Sequence, residues 1–338
     1  MTRAPWLSVL IPVYNVQAYL SECLASVVGQ LGGDDGVQIL VLDDCSTDDS
    51  WPLMQALAQR WPGRLRLLRH ERNGGLSAAR NTLMDAARGD YLWLLDSDDK
   101  LLPGAIEGLR AIVRTHAPDV VLCDFTVWRE RPRLKHRLRG EQHRRSFGGP
   151  AQRLVHDGCE LLAGMLSAGE LHAWSKISRR ALWGADLRFP PRRHFEDMTT
   201  MPLMALRAES FYYEPRPWVA YRQRGDSILA SMNLAKALDQ STALLPFAQA
   251  LKNSPRGTQA RLRLALAHQA ARSLVGAMRC VCQPGMVQVP SKAAETVRRN
   301  FLDTSPLTPR ELARTYLLRG WWLRRHRFLR WFNARPRP

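Results

Sequence analysis

The apolar positions of the N-terminal third follow two alternating patterns. Residues 91–95 are a continuous apolar run, and residues 7–11 and 37–42 are apolar except for Ser8 and Gln38. Such segments are typical of strands covered on both faces of a parallel sheet. Between these runs, apolar residues recur at helical spacing, as in segments 19–28 and 51–61, which indicates amphipathic helices. Strands that alternate with helices predict an α/β fold with a doubly wound, mainly parallel sheet flanked by helices.

The pattern changes after residue 230. Leucines recur at helical spacing from residue 231 to 299, with breaks at residues 253–255 (NSP) and 283–285 (QPG). Proline and glycine at these positions interrupt helices. The C-terminal part is therefore predicted to be a helical region, in which no residue pattern indicates chemistry.

Polar side chains follow each of the three predicted strands. Tyr14 follows the first strand, Asp43 and Asp44 follow the second, and Asp96 and Asp98 follow the third. The carboxyl ends of parallel strands share one edge of a sheet, where α/β proteins bind ligands, so we expect these groups to line one crevice. Tyrosine can stack on a base, and a carboxylate pair suits a divalent cation that also binds phosphate oxygens.

The local conformation of the acidic segment decides how its carboxylates are arranged. In an extended segment, Asp96 and Asp98 would point the same way, with Ser97 turned away between them. Asp99 is placed to cap a helix that Pro103 helps to start. The alternative for these aspartates is a purely local role as turn formers and helix caps.

Four motifs, in this order, resemble the family-2 glycosyltransferases, which are inverting enzymes of GT-A fold that use nucleotide-activated sugars. The motifs are PVYN at 12–15, DDCSTDDS at 43–50, NGGLSAARN at 73–81 and LDSDD at 95–99. The likeness covers residues 6–125, and Cys45 stands where the family usually has glycine.

The resemblance implies a site for a nucleotide-sugar donor. It assigns base and ribose contacts to Pro12, Val13, Tyr14, Asn15, Asp43 and Asp44. It assigns further nucleotide contacts to Asn73 and Arg80, and ribose, diphosphate and metal contacts to Asp96 and Asp98, with Mn²⁺ or Mg²⁺ as the cofactor. The donor that it favours is a UDP-sugar, with guanosine- and thymidine-linked donors left open.

A looser likeness extends to residue 228. AWSK at 173–176 resembles the family's W-x-K segment, and FEDM at 195–198 resembles its E-D pair. By resemblance, Asp197 is the base that deprotonates the acceptor hydroxyl in a single displacement, Glu196 is its neighbour, and Trp174 and Lys176 lie on the diphosphate and acceptor side. The alternative for Asp197 is to cap the helix that follows.

The segment YRQRGDSI at 221–228 resembles the Y-x-x-R-x-x-S-I ending of many family members. Arginine suits phosphate because its planar fork donates in pairs and stays charged. Arg222 or Arg224 would thus help to stabilise the leaving diphosphate, unless both lie in a solvated surface loop. We expect residues 1–125 to bind the donor, residues 126–228 to bind the acceptor, and residues 229–338 to form a helical accessory region.

Positive charge is concentrated in two segments of this chain, whose formal net charge is +18. Residues 128–145 contain seven arginines and a lysine against two glutamates, which predicts a basic surface insertion. The last 38 residues contain nine arginines against two acids, with arginine mainly opposite an aromatic face that includes Trp321, Trp322 and Phe328. This arrangement suits a helix lying on an anionic membrane, which would imply a lipid-linked saccharide acceptor for surface polysaccharide. The alternative is that the aromatic face packs on the protein.

The six cysteines show no metal-ligand spacing, and the N-terminus shows no charged segment followed by an apolar one. Free thiols and a cytoplasmic location, peripheral to the inner membrane, are expected.

Two other functional classes, a nucleotidyltransferase and a nucleic-acid-binding protein, share some features with this sequence. A nucleotidyltransferase would usually carry a glycine- and lysine-rich phosphate loop, which PVYN lacks. A basic nucleic-acid-binding protein is disfavoured by the aspartates near the crevice, so no specific nucleic acid is expected.

Overall fold

A computed structural model describes residues 4–129, 134–138, 140–223, 232–283 and 290–335. The elements of the N-terminal part are β1 (Leu7–Val13), α1 (Gln17–Val28), β2 (Val37–Asp43), α2 (Ser50–Arg60), β3 (Leu65–Arg69), α3 (Leu76–Ala86), β4 (Tyr91–Leu94), β5 (Lys100–Leu101), α4 (Ala105–His116) and β6 (Val120–Trp128). The strands and helices predicted from the apolar runs are therefore present, within two residues at most ends.

The central part contains α5 (Leu134–Leu138), β7 (Leu154–Val155), α6 (Gly158–Ala168), β8 (Lys176–Arg179), α7 (Glu196–Leu206) and β9 (Phe211–Arg222). Short 3-10 turns precede and follow β8, at Ala173–Ser175 and Arg180–Leu182. The C-terminal helices are α8 (Leu234–Thr242), α9 (Leu245–Lys252), α10 (Ala260–Val281), α11 (Pro290–Thr304), α12 (Pro309–Leu318) and α13 (Trp322–Phe332).

Within the described residues the strands form one nine-stranded sheet, in the order β3-β2-β1-β4-β8-β6-β9-β5, with β7 added on β9. The neighbours β3, β2, β1 and β4 are parallel, as are β6 and β9. The predicted doubly wound, mainly parallel α/β sheet is confirmed. The sequence did not predict β8, which runs antiparallel between β4 and β6.

The reversed direction of β8 has a consequence for the crevice. Because β8 is antiparallel to β4, its first residue, Lys176, lies toward the edge at which β4 ends. The segment 173–176 is thereby brought to the carboxyl ends of the parallel strands, where the acidic motifs lie. Strand direction thus joins the two sets of motifs at one edge of the sheet.

Apolar side chains cover both faces of the sheet. One face packs against α1, α2 and α4, and the other packs against α3, α6, α7 and α9. A separate apolar core surrounds α10. Leu262 and Leu266, in the first turns of this helix, also pack into the core on the face of the sheet that α3, α6, α7 and α9 cover. This continuity attaches the C-terminal helices to the sheet, since α10 packs directly against α6.

The C-terminal region is helical, as predicted, but its aromatic face is divided. Phe328 is buried, and Trp321, Trp331 and Phe332 pack against the core around α10. The joint between α12 and α13 instead exposes four apolar side chains, which are Leu317, Leu318, Trp322 and Leu323. Among the described residues, no helix has the length and apolar character required to cross a membrane.

Two smaller predictions are also resolved. All six cysteines are free, although Cys45, Cys159 and Cys282 are only partly buried. The break at residues 253–255 is confirmed, because α9 ends at Lys252 and Ser254 caps a short 3-10 turn. The second break lies partly outside the described residues, since α10 ends at Val281 and residues 284–289 are not described.

Candidate active site

The loop after β1 is joined to the loop after β2 by hydrogen bonds. Pro12 and Val13 end β1, and the carbonyl of Val13 accepts from the backbone N–H of Asp44 at 2.8 Å. Asn15 has a left-handed backbone, with φ of 52°, and its side-chain carbonyl accepts from the N–H of Thr47 at 2.8 Å. Tyr14 lies between these anchored positions and is 47% exposed. The predicted base-stacking residue is therefore presented on a fixed loop.

Asp43 and Asp44 are both buried and both have partners within the protein. Asp43 forms an ion pair with Arg69 at 3.0 Å. The carboxylate of Asp44 accepts from the N–H groups of Gly74 at 2.9 Å and Gly75 at 2.7 Å. His70 Nδ1 lies 2.6 Å from the same carboxylate, and Asn73 Nδ2 donates to the Asp44 carbonyl at 3.1 Å. Asp44 thus fixes the conformation of the NGG turn.

The NGG turn places the start of α3 at the crevice. Gly75, the residue that precedes α3, has φ of 81°, which favours glycine at this position. Arg80 follows on the buried face of the helix and is 1% exposed. A motif of glycines therefore directs one buried arginine into the site.

Arg80 connects the donor motif to the E-D pair. Its Nη2 donates to Asp96 at 2.8 Å, and its Nη1 donates to Glu196 at 2.9 Å and Asp197 at 2.6 Å. Its guanidinium also lies 5.2 Å from the ring centroid of Phe189. Burial alone would lower the pKa of Arg80, but the carboxylates of Asp197, Asp96 and Glu196 outweigh it and raise that pKa. One permanent cation thus holds three carboxylates together.

The E-D pair forms the first turn of α7. Phe195 precedes the helix with φ of 59°, a left-handed conformation that is strained for a bulky residue. One oxygen of Asp197 accepts from Arg80, and the other accepts from the N–H of Ala173 at 3.0 Å. The alternative that Asp197 caps α7 is wrong, because Phe195 holds the cap position and both Asp197 oxygens bond elsewhere.

Glu196 has the more perturbed acidity of the two. Burial, followed by the negative charge of Asp197, raises the pKa of Glu196 to about 7, against the opposing effect of Arg80. A carboxylate with this pKa is half protonated near neutrality and can exchange a proton there. The sequence pointed to Asp197 as the base, and in the structure Glu196 is the neighbour whose pKa is raised.

The acidic segment after β4 is a turn rather than an extended strand. The N–H of Asp99 donates to the Asp96 carbonyl at 3.1 Å, so the predicted alternation of Asp96, Ser97 and Asp98 about an extended backbone is wrong. Asp99 is not a helix cap either. Its Oδ1 accepts from the Arg222 N–H at 2.7 Å, while α4 begins at Ala105 behind a left-handed Gly104.

The acidic turn retains features that suit a divalent cation. The buried Oδ2 of Asp99 has no hydrogen-bond partner among the described residues. Burial, and then the charges of Asp98 and Asp96, raise the pKa of Asp99 well above its usual value. The negative charges of Asp96 and Asp98 near this buried carboxyl are the feature that would suit a hard cation. No cluster of three or more His, Cys, Asp or Glu side chains arranged to hold a metal occurs in the described part of the chain.

Arg222 holds the acidic turn in place. Its Nε donates to the Asp98 carbonyl at 2.9 Å, and its Nη2 pairs with Glu22 at 2.8 Å. Its guanidinium lies 3.6 Å from the ring centroid of Trp128. Arg222, a predicted diphosphate ligand, therefore already bonds groups within the protein. Arg224, the other candidate, lies outside the described residues.

Lys176 and Trp174 build the segment that presents the Ala173 N–H. The ammonium of Lys176 donates to the carbonyls of Glu170 at 2.6 Å and His172 at 2.9 Å, and to the Ser175 hydroxyl at 2.7 Å. Burial lowers its pKa to about 8. Trp174 is buried, and its carbonyl accepts from the Trp93 indole at 2.9 Å. Both residues position the loop.

Sequence reasoning missed two contributors to this site. The backbone of Ala173 bonds Asp197, and backbone groups leave no signal in a side-chain motif. His70 contacts Asp44, although it lies between two recognised motifs. In the sequence, the position of His70 between the DDCSTDDS and NGGLSAARN motifs could have indicated that it contributes to the site.

Comparisons with known sequences identify the N-terminal half. A sequence model described as Glycosyl transferase family 2 matches residues 8–165. The chain is 35% identical over 121 residues to an uncharacterised glycosyltransferase of Bacillus subtilis, EpsJ. The matched region covers 36% of this chain and 34% of EpsJ. It is 33% identical over 121 residues to the minor teichoic acid biosynthesis protein GgaB of the same organism, over 36% of this chain and 13% of GgaB. The chain thus spans about a third or less of these relatives.

Solved structures share the fold. S. aureus TarS residues 1–349 in complex with UDP-GlcNAc superposes with a TM-score of 0.69 at 20% identity, over 96% of this chain and 89% of that one. The mannosyltransferase PcManGT from Pyrobaculum calidifontis, in complex with GDP-Man and Mn²⁺, gives a TM-score of 0.54 at 17% identity, over 98% and 86%. These likenesses confirm the predicted GT-A type of fold.

Proposed function

Residues 8–165 of this chain belong to glycosyl transferase family 2, and we propose that the protein is an inverting glycosyltransferase. It moves a sugar from a nucleotide diphosphate to a hydroxyl of a saccharide acceptor. The observation that carries this proposal is Arg80, which joins Asp96 on the donor side to Glu196 and Asp197 on the acceptor side. Family membership favours sugar transfer over the nucleotidyltransferase and nucleic-acid-binding alternatives.

The donor is a UDP-sugar in this account. Tyr14 is exposed on an anchored loop beside the DDCSTD segment, where it can stack on a base. Asn15, Asp43, Asp44 and Asn73 shape this pocket through their bonds to neighbouring loops. The complex of TarS with UDP-GlcNAc supports a uridine nucleotide by analogy of fold.

A divalent metal, Mn²⁺ or Mg²⁺, would be held by Asp98 and Asp96. The crowded carboxylates of the acidic turn and the unpartnered Asp99 oxygen support this assignment. When bound, the ion would neutralise charge that develops on the leaving diphosphate. Arg222 then acts by holding the Asp98 backbone in place rather than by contacting phosphate.

The acceptor hydroxyl loses its proton to Asp197 while its oxygen attacks the anomeric carbon from the face opposite the diphosphate. The N–H of Ala173 and the guanidinium of Arg80 each hold one oxygen of Asp197, which orients the carboxylate. Glu196 lies beside it and can take up the proton near neutral pH. No covalent intermediate on the enzyme is required.

The protein acts at the cytoplasmic face of a membrane in this proposal, on a lipid-linked saccharide that is built into surface polysaccharide. The exposed apolar side chains at the joint of α12 and α13, with the arginines of both helices, suit an anionic lipid surface. The name of GgaB, a minor teichoic acid biosynthesis protein, supports a surface polymer as the product class. The free cysteines suit a reducing compartment.

The direct test is to incubate the protein with Mn²⁺, a set of UDP-sugars and saccharide acceptors, and to follow UDP release and product mass. We expect transfer with inversion at the anomeric carbon, and we expect Asp197→Asn to lower kcat by about 10²–10⁴-fold with UDP binding retained. Asp303→Asn, on α11, is the matched control. Transfer by Asp197→Asn at the wild-type rate would remove Asp197 from the mechanism.

A further inference from the structure

A cleft of about 430 Å³ beside the acidic turn is not used by the donor site. It is lined by Phe125, Val127, Arg129, Glu141, Arg144, Glu170, His172, Tyr221 and Gln223. Tyr221 links the cleft to the acidic turn, since the next residue, Arg222, donates to the Asp99 carboxyl at 2.7 Å and to the Asp98 carbonyl at 2.9 Å. The cleft therefore adjoins the acidic turn.

Three aromatic residues of the lining, Phe125, His172 and Tyr221, pack around the buried Trp174. His172 and Trp174 lie nearly parallel, with centroids 4.8 Å apart and planes at 8°. Tyr221 stacks on Trp174 at 5.5 Å, and Phe125 meets Trp174 edge-on at 4.8 Å. Flat, rigid apolar faces of this kind suit the C–H face of a sugar ring.

Two ion pairs form the walls. Arg129 pairs with Glu141 at 2.7 Å, and Arg144 pairs with Glu170 at 3.0 Å. Arg144 also bridges to Phe125 through two backbone hydrogen bonds, at 2.8 Å and 3.2 Å, which fixes the wall to β6. Paired charges can bond hydroxyl groups while the cleft stays nearly neutral, so the cleft itself suits a sugar better than an anion.

An arginine cluster continues from the cleft toward the C-terminal helices, and consists of Arg144, Arg272, Arg324 and Arg327. Arg272 of α10 donates to the carbonyl of Ala168 at 3.0 Å, two residues before the Glu170 that pairs with Arg144. The guanidinium of Arg324 lies 4.3 Å from the Trp321 ring, whose centroid is 5.7 Å from that of His268. His268 lies one helical turn before Arg272, and Arg327 lies one turn after Arg324.

The arginine cluster has excess positive charge. Within the described ranges, Arg272, Arg324 and Arg327 form no ion pair with a carboxylate. Glu170 is the acid whose charge acts on Arg272. Burial, and then Arg324, Arg144 and Arg327, lower the pKa of Arg272 despite Glu170. Burial, followed by the charges of Arg324 and Arg272, lowers the pKa of His268 to about 4. The guanidinium groups of Arg272, Arg324 and Arg327, which have no carboxylate partner there, favour the binding of an anion.

We propose that the acceptor is a phosphate-bearing saccharide, whose sugar ring occupies the cleft and whose phosphate binds the arginine cluster. This inference rests on the proposed glycosyl transfer and adds the chemical class of the acceptor. Arginine suits the phosphate because it donates bidentate, charge-assisted hydrogen bonds. Arg144 belongs to both the cleft and the cluster, which favours one ligand across both over a membrane surface on the cluster alone.

The test is calorimetric binding of three probes to the full chain. The probes are a soluble glycerol phosphate oligomer, a disaccharide linked to a polyprenyl diphosphate in neutral detergent micelles, and the same disaccharide as a neutral methyl glycoside. We expect at least one phosphate probe to bind about ten-fold or more tightly than the neutral glycoside. The phosphate probe that binds identifies the source of the phosphate, either a polymer or a lipid carrier.

The double variant Arg272→Gln/Arg324→Gln should lose this preference, whereas Arg314→Gln/Arg330→Gln, with the same change of charge on α12 and α13, should keep it. Binding of UDP with Mn²⁺ to each variant reports that the donor site is intact. Equal binding of phosphate and neutral probes by wild type that still binds UDP would overturn the inference and leave glycosyl transfer standing. A double variant that keeps the preference for the phosphate probes would also overturn it.

Discussion

The guanidinium of Arg80 lies 2.6 Å from the carboxylate of Asp197, a residue 117 positions later in the chain. The same guanidinium bonds Asp96 and Glu196. The side chain of Arg80 is almost inaccessible to water, so the three carboxylates depend on it for compensation of their charge. The donor half and the acceptor half of the site are therefore coupled through one residue.

Removing the charge of Arg80 should destabilise the protein strongly. We expect Arg80→Gln to lower the free energy of unfolding by about 3–5 kcal/mol, because three partly buried carboxylates would lose their cation. Urea unfolding measures this change. Arg207→Gln is the control, since its pair with Asp186 is exposed to solvent and should contribute much less to stability. Equal losses in the two variants would contradict the role of Arg80.

Glu196 should make stability depend on pH in a specific direction. Its pKa is raised to about 7 in the folded protein from an ordinary 4.5, so between these values the native state binds more protons than the unfolded state. The free energy of unfolding should therefore fall as pH rises from 4.5 to 7, by at most about 1.4 kcal/mol per pH unit from this group. The difference between wild type and Glu196→Gln, measured by urea unfolding across this range, isolates the effect. A difference that does not vary with pH would rule it out.

Cys45 occupies a backbone conformation that favours glycine. Its φ is 60°, in the left-handed region. We expect Cys45→Gly to raise the free energy of unfolding by about 1 kcal/mol, since the Cβ is strained there. Cys45→Ala is the control, because it removes the thiol and keeps the Cβ. Thermal unfolding of both variants measures the change in stability. An equal gain in Cys45→Ala would show that loss of the thiol, and not relief of backbone strain, stabilises the protein.

The joint between α12 and α13 should mediate membrane binding. Trp322 is 69% exposed and Leu323 is 87% exposed. Replacing both with serine should weaken partitioning onto vesicles that contain anionic lipid by about ten-fold or more, because the apolar area available for insertion falls. Sedimentation with vesicles measures it. Serine at Leu134 and Leu138, which are comparably exposed on α5, is the control; an equal effect there would show that any exposed apolar pair suffices.

Local patterns predicted the first part of the fold well, because β1, β2 and β4 lie inside the sheet, are almost entirely buried and are therefore mainly apolar. The edge strand β3 (LRLLR) was not predicted, because its leucines are only partly buried and are interspersed with exposed or partly buried arginines. The long strand β9 contains Pro215 and Pro217, which obscure a strand signal. Its pairing with β6 shifts register near Asp124, and no sequence pattern reports such a bulge.

The site was predicted as a set of residues but not as a network. Motifs identified Arg80, Asp96, Glu196 and Asp197 separately, yet their contacts join positions more than a hundred residues apart. The turn at Asp96–Asp99 also could not be predicted, because its conformation depends on Arg222 from the distant end of β9. Sequence spacing describes neighbours along the chain, and these constraints come from tertiary packing.

The most direct test of the central claim is calorimetric titration of UDP with and without Mn²⁺, on wild type, Asp98→Ala and the control Asp90→Ala, an exposed aspartate just before β4. We predict that wild type and Asp90→Ala bind UDP in a metal-dependent way and that Asp98→Ala loses this binding. Absence of UDP binding by all three proteins, or equal metal-dependent binding by Asp98→Ala, would contradict a uridine nucleotide and metal site at the acidic turn.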